Sequence, residues 1–311
     1  MQVEIPEKKN EEPSTKRTRR VPFLDTQELR ISWRIFRSSY ITLIGAIISI
    51  VFIILALAVW LSSNKILPFD PYAISPSTIL QAPSLHHLLG TDDLGRDILT
   101  RILAAAPIDA EVAFSVVGSA VILGLLIGGL AGFVGGYVEE VIMRVTDIFL
   151  AFPGLVLALA IVASLGPSIT NTILALAPVW WPSYTRLARG ETLSIKSQQF
   201  VEASTAAGQK NRHIILRHII PNILPTLLVY ATLDIGNVIL VFSVLSFIGL
   251  GAQPPIPEWG LLSAQGEQYL RSAPWYPIAP ALTILIVAIG FSLFGDGLRD
   301  ALDPKVRGLF S

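Results

Sequence analysis

Long apolar runs separated by short polar stretches dominate this chain. A transmembrane helix needs roughly 20 mostly apolar residues. Six segments are candidates: about Tyr40 to Leu61, which carries no charge, then Ala113 to Phe133, Asp147 to Leu165, Thr172 to Leu187, Ile223 to Leu250 and Tyr276 to Phe294. The fifth is long enough to be tilted or broken. The pattern predicts an all-α fold, a polytopic membrane bundle of six transmembrane helices. Its expected divisions are a cytoplasmic tail (1–38), a first transmembrane helix (39–62), an external loop (63–111), a core transmembrane domain (112–300) with an inner loop at 188–220, and a cytoplasmic C-terminal tail (301–311).

Composition agrees with a membrane protein bearing a polar tail. Hydrophobic residues make up 52% and charged residues only 15%, against about 25% charged in soluble domains. The polar start holds Glu4, Glu7, Glu11, Glu12 and the basic cluster Lys16, Arg17, Arg19, Arg20. A cleavable signal would have a short basic region followed at once by an apolar core, so these residues read as a solvated tail. Thr26 to Arg37 reads as a short amphipathic helix with Leu29, Trp33 and Ile35 at the membrane surface. Lysine and arginine collect on the cytoplasmic side of membrane proteins. With the tail inside, nineteen fall in inner segments and four, Lys65, Arg96, Arg101 and Arg271, in outer ones. Both termini are therefore expected in the cytoplasm, with the protein in the cell membrane. The absence of cysteine excludes disulfides, thiolate metal sites and cysteine nucleophiles. The formal net charge of zero gives no field that points to nucleic acid.

The inner loop is the most informative segment. Gln199 to Ala207 favours helix and is rich in small side chains, Gly208 permits a sharp turn, and a second helical stretch follows with Lys210, Arg212, His213 and Arg217. Pro221 is placed at the start of the fifth span, where proline is tolerated. Two short helices joined by a glycine, lying beneath the membrane, are expected.

This segment resembles the signature inner loop of ABC importer permeases: Glu-Ala-Ala, three residues, glycine, nine residues, then an apolar-x-Leu-Pro ending. Here it reads Glu202-Ala203-Ser204, Gly208 and His218-Ile219-Ile220-Pro221, with serine, histidine and isoleucine as departures. The histidine before Ile-Ile-Pro-Asn is similar to the dipeptide/oligopeptide branch. Leu89-Gly90-Thr91-Asp92-Asp93-Leu94-Gly95-Arg96-Asp97 resembles that branch's C-type subunit, as do Asp147 to Pro153, Trp181 to Leu187, Leu245 to Gly251, Gln253 to Gly260 and Gly295 to Pro304. The resemblance implies the type I importer permease fold. It also implies that the first inner-loop helix docks on an ATP-binding subunit, with Glu202, Ala203, Ser204, Gly208 and Pro221 as coupling residues.

Other positions leave alternatives open. The loop 89–97 lacks the Asp-x-Asp-x-Asp-Gly spacing of a calcium loop and reads as a turn held by Asp and Arg hydrogen bonds. His86 and His87 lack further evident metal ligands. Gly124, Gly128 and Gly132 form a small-residue face, either a seam to a partner span or packing within the subunit. Pro153 and Pro182 remove backbone donors and kink their helices, in a gate or in a static bundle. Asp234 and Asn237 lie at membrane depth and face either the transport pathway or a structural partner. Many relatives carry glutamate where this chain has Phe242, which makes Phe242 a third pathway position and leaves the cargo open.

No phosphate-binding glycine loop occurs, and the dipeptide Gly-Lys is absent. As a permease the chain is not an enzyme, and neither cofactor nor metal is expected. The resemblance implies a second, B-type permease forming a heterodimer with this one, two ATP-binding subunits, an extracytoplasmic substrate-binding protein and the lipid bilayer as partners. The expected cargo is a dipeptide or oligopeptide, with oligosaccharides or nickel as alternatives. A stand-alone secondary transporter or channel is the rival class, and it would call for repeats or several intramembrane charges.

Overall fold

The computed structural model describes residues 26–302, and every regular element among them is helical. The tail at 1–25, with its basic cluster, and residues 303–311 lie outside the described residues. Helix α1 (Thr26–Ser38) meets α2 (Tyr40–Ser62) at Ser39, whose extended backbone and hydroxyl cap α2 through the Thr42 amide. On α1, Ser32 and Ile35 are buried, and Phe36 packs edge-on against Phe294. Trp33, Arg30, Arg34 and Arg37 are exposed, with Arg37 over the Trp33 ring. Ile35 thus faces protein, and of the expected surface residues Trp33 is outward.

Helix α2 sorts its residues by size. Thr42, Gly45, Ala46, Ser49 and Ala56 face inward, while Ile41, Ile44, Ile47, Ile54 and Leu57 face outward. Lipid offers apolar side chains no reason to leave it, so helices in a membrane associate through close packing of small residues. A Cβ on Gly45 would stand 2.6 Å from Leu293 Cβ, and one on Gly290 would stand 2.4 Å from Ile48 Cγ2. This seam joins α2 to the last helix, α10 (Trp275–Leu302).

Helix α3 runs from Ile98 to Val134, starting fifteen positions before the expected Ala113. Asp97 supplies the reason: its carboxylate accepts the Thr100 amide at 2.7 Å and caps the helix there. The helix therefore begins within the expected external segment 63–111. A π-turn at Gly124–Gly128 lies within α3. Cβ atoms on Gly124, Gly128 and Gly132 would collide with Tyr184, Thr185 and Arg189, so the small-residue face is a seam within this chain.

The third expected span is corrected. It is two helices, α4 (Gly136–Ala151) and α5 (Gly154–Leu165), bent by 86°. Phe152 and Pro153 adopt extended backbone, so Pro153 breaks the helix rather than kinking it. Asp147 lies inside α4, not at a span's start. The fourth span, α6 (Ile169–Lys196), contains Pro178 and Pro182 and extends past Leu187. Its polar end is fixed to α4 by Arg186–Asp147 at 2.6 Å and by an Arg189–Glu139 ion pair, and Lys196 Nζ donates to the Phe133 carbonyl at 2.7 Å.

The short α7 (Gln199–Ala206) precedes α8, which is continuous from Asn211 to Phe247. The expected second short helix is therefore the first part of α8, and Pro221 stands in the first turn of the α-helical stretch Ile220–Phe247. A π-turn at Ile215–Ile219 joins the two parts, with the Ile220 amide bonding back to the Ile215 carbonyl. Proline has no amide and its ring crowds the carbonyl four residues earlier. A wider turn at that point lets the helix continue. A buried helix, α9 (Trp259–Gly266), then leads to α10.

Candidate functional site

The inner loop forms a compact knuckle. Gln199 to Ala206 are helix formers with a short exposed face: Glu202, Ala203, Thr205 and Ala206 are exposed, and Ser204 is half-buried. Val201 is buried on the opposite face. Helix α7 ends in a Schellman motif, in which the Gly208 amide bonds to Thr205 O at 3.0 Å and the Gln209 amide to Ser204 O at 3.2 Å. Gly208 has φ +73° with open space around its missing Cβ, so conformation rather than crowding requires glycine there.

Two contacts tie the knuckle to α8. The Phe200 and His218 rings pack edge-on at 5.9 Å, and Ser204 Oγ lies 3.5 Å from His218 Nε2. Ile214 and Ile219 are buried on the same helix. Asn222 Nδ2 donates to the His218 carbonyl at 2.6 Å, just beyond the exposed Pro221. The five expected coupling residues therefore divide. Glu202, Ala203 and Ser204 form the face of α7, Gly208 sets its end, and Pro221 sits on α8 just past the π-turn that holds His218.

Higher on α8, Asp234 is buried and Asn237 Nδ2 lies 3.3 Å from its Oδ1. Tyr184 and Trp180 of α6 lie close enough to interact with the same carboxyl. The Tyr184 and Tyr230 rings pack at 5.2 Å. Asn237 and Tyr230 are exposed, whereas Phe242 is fully buried in the subunit's own core. Of the three expected pathway positions, only Asn237 reaches the surface of the isolated chain.

The loop before α3 is a rigid cap. Asp92, fully buried, accepts from the amides of Leu94 and Arg96 at 2.9 Å, from Arg96 Nε at 2.7 Å and from Arg101 Nη1 at 3.2 Å. Gly90 and Gly95 take positive φ on either side. His87 Nδ1 meets Asp97 Oδ2 at 2.9 Å, while His86 packs edge-on against Phe69. Tyr276 Oη lies 3.0 Å from Asp93 Oδ1 and joins the cap to α10. Asp109 and Glu258, both fully buried, did not stand out in the sequence. Asp109 falls in the expected external loop, and Glu258 directly follows the prolines at 254, 255 and 257.

The described residues thus form an all-helical bundle with several apolar helices long enough to cross a membrane and one exposed helical knuckle. Residues 124–308 match the family described as binding-protein-dependent transport system inner membrane component. The dipeptide transport system permease protein DppC of Alkalihalophilus pseudofirmus is 43% identical over 89% of this chain and 90% of its own. The probable D,D-dipeptide transport system permease protein DdpC of Escherichia coli K12 is 44% identical over 84% and 87%. The glutathione transport system permease protein GsiD of Escherichia coli O157:H7 is 40% identical over 89% and 90%. Two crystal forms of the MetNI methionine ABC transporter in inward facing conformations share the fold. Their TM-scores are 0.55 and 0.52, at 17% and 18% identity, and each covers 66% of this chain. The chain belongs to the binding-protein-dependent ABC importer permeases: it is a multi-pass membrane transport subunit and not an enzyme. Membership implies ATPase and substrate-binding-protein partners.

Proposed function

We propose that the chain forms half of a peptide translocation pathway, pairing with a second, B-type permease above two ATP-binding subunits. The peptide cargo follows the relatives, whose names specify dipeptides, D,D-dipeptides and glutathione. Both termini and α7 lie in the cytoplasm, in keeping with the nineteen-to-four distribution of Lys and Arg. An exposed polar group at membrane depth is costly against lipid, so Asn237 and Tyr230 face the partner permease or the water-filled path. Asp234 holds α8 to α6 behind them, and Phe242 contributes from the core.

The observation that carries this reading is α7 itself. Its exposed face offers small side chains and a single acid, Glu202, so that a groove on another protein can approach its backbone closely. Its other face is tied through Phe200 and Ser204 to His218 on the same 37-residue helix that carries Asp234. A push on α7 is thereby delivered to the pathway. The experiment compares Glu202→Lys and Gly208→Val with the parent at matched expression, reading recovery of the ATP-binding subunits and peptide uptake. Both variants are expected to insert normally and to lose recovery and uptake. Normal assembly and uptake in both would remove α7 as the coupling element.

A further inference from the structure

Asp109 lies on α3 with no exposed surface, and neither of its oxygens has a hydrogen-bond donor in proper geometry. The Trp259 amide acts on it without completing such a bond. Glu258, equally buried, starts the neighbouring α9, and the charges of the two carboxyls act on each other. Glu258 is the N-cap of α9, and its two oxygens accept the Gly260 and Leu261 amides at 2.8 and 2.7 Å. Ser246 Oγ, which accepts the Ala252 amide at 3.2 Å, lies beside it with its own proton free to donate.

This arrangement is asymmetric. Glu258 has backbone donors and the positive end of a helix, which favour the anion. Asp109 has neither. Two buried carboxylates facing each other repel, and neither carries a proton to bond the other. One proton between them converts repulsion into a charge-assisted hydrogen bond. We infer that Asp109 and Glu258 form a proton-binding site, a carboxyl–carboxylate pair with the proton on Asp109, that latches α9 onto α3.

The surroundings supply no competing charge. On α3, Arg101 is engaged with Asp92 two turns earlier and Glu111 is exposed. Helix α8 presents Ser243 and Ser246, and Tyr276 at the start of α10 bonds to Asp93. Glu267, beyond the end of α9, is exposed. The facing segment of α2 presents Phe52 to Trp259. A second contact closes the latch, where Trp259 Nε1 donates to the Ile102 carbonyl at 2.9 Å. A Cβ on Gly260 would stand 2.1 Å from the Ser243 carbonyl oxygen, so α9 has little room to shift.

The proton gives a pH dependence of definite sign. Burial raises the Glu258 carboxyl above its ordinary range, and the folded pair keeps a proton that the unfolded chain releases near pH ~4. The stabilisation is complete below that value and is lost as pH rises to the pair's own titration. The test uses the full chain in lipid nanodiscs, with Asp109→Asn and Glu258→Gln. Asp109→Asn donates a permanent N–H across the contact and removes the proton, whereas Glu258→Gln removes the carboxylate and leaves one of the Gly260 and Leu261 amides without its acceptor. Infrared difference spectra, parent minus variant, are expected to show a protonated-carboxyl carbonyl band that shifts in heavy water, with the same band lost in both variants. The decline of the melting temperature as pH rises above the ordinary carboxylate range should flatten in both. An absent band, as a bridging water or cation would give, overturns the proposal, and so does a pH profile shared by parent and variants.

Discussion

At Gly208 a single backbone angle decides the knuckle's shape. Its φ of +73° closes the Schellman motif, while nothing crowds its Cβ position. A substitution there meets only the cost of the left-handed conformation, about 1–2 kcal/mol for an ordinary residue and less for asparagine. Gly208→Asn should therefore retain most uptake and Gly208→Val little, measured as initial uptake rates at equal membrane abundance. Equal loss in both would mean that side-chain volume, not φ, is what matters. Asp92 is a contrasting case, since its one carboxylate pairs with both buried Arg96 and Arg101. Removing one partner of a buried pair costs about 3–5 kcal/mol, so Asp92→Ala should lower the melting temperature sharply in detergent, whereas Asp70→Ala, on the exposed loop, should not. The role of Gly208 was legible in sequence because positive φ has a glycine signature. Asp109 and Glu258 were not, because proximity across 149 positions leaves no mark on local pattern.

At the scale of elements, the apolar runs marked the spans well where charge was absent. Helix α2 was read to within a residue, from Tyr40 to Leu61 against Tyr40–Ser62. Readings failed where helices continue beyond the apolar stretch. Helix α3 begins early because Asp97 caps it and buried side chains absorb Arg101 and Asp109. Helix α8 begins at Asn211 because a π-turn carries the backbone past Pro221. The 86° break between α4 and α5 was also missed, because a proline alone does not distinguish a kink from a break. The α2–α10 seam yields a test. Gly45→Leu places its side chain against the backbone of Phe294, and overpacking of this kind costs roughly 1–3 kcal/mol or more. The variant should lose thermal stability in nanodiscs, while Ile47→Leu on the exposed face of α2 should be neutral. Equal effects would show that the seam is not tightly packed.

For the whole molecule, the proposed reading is that energy enters from the cytoplasmic side and that cargo passes through a pathway this chain half encloses. The sequence disclosed the family through several separated motifs, and the fold through its apolar runs. Assembly was less legible, since an exposed face such as that of Asn237 carries no sequence pattern that names what covers it. Reporters offer a check on orientation: one fused after Ser311 should be cytoplasmic and one inserted near Ser77 external, and finding both on one side would refute it. The most direct measurement is uptake of a labelled dipeptide into proteoliposomes containing this chain, its partner permease and the ATP-binding subunits, with the binding protein outside. Uptake should require ATP and every component, and the chain by itself should neither hydrolyse ATP nor admit peptide. Peptide entry through this chain alone, without ATP, would contradict the account.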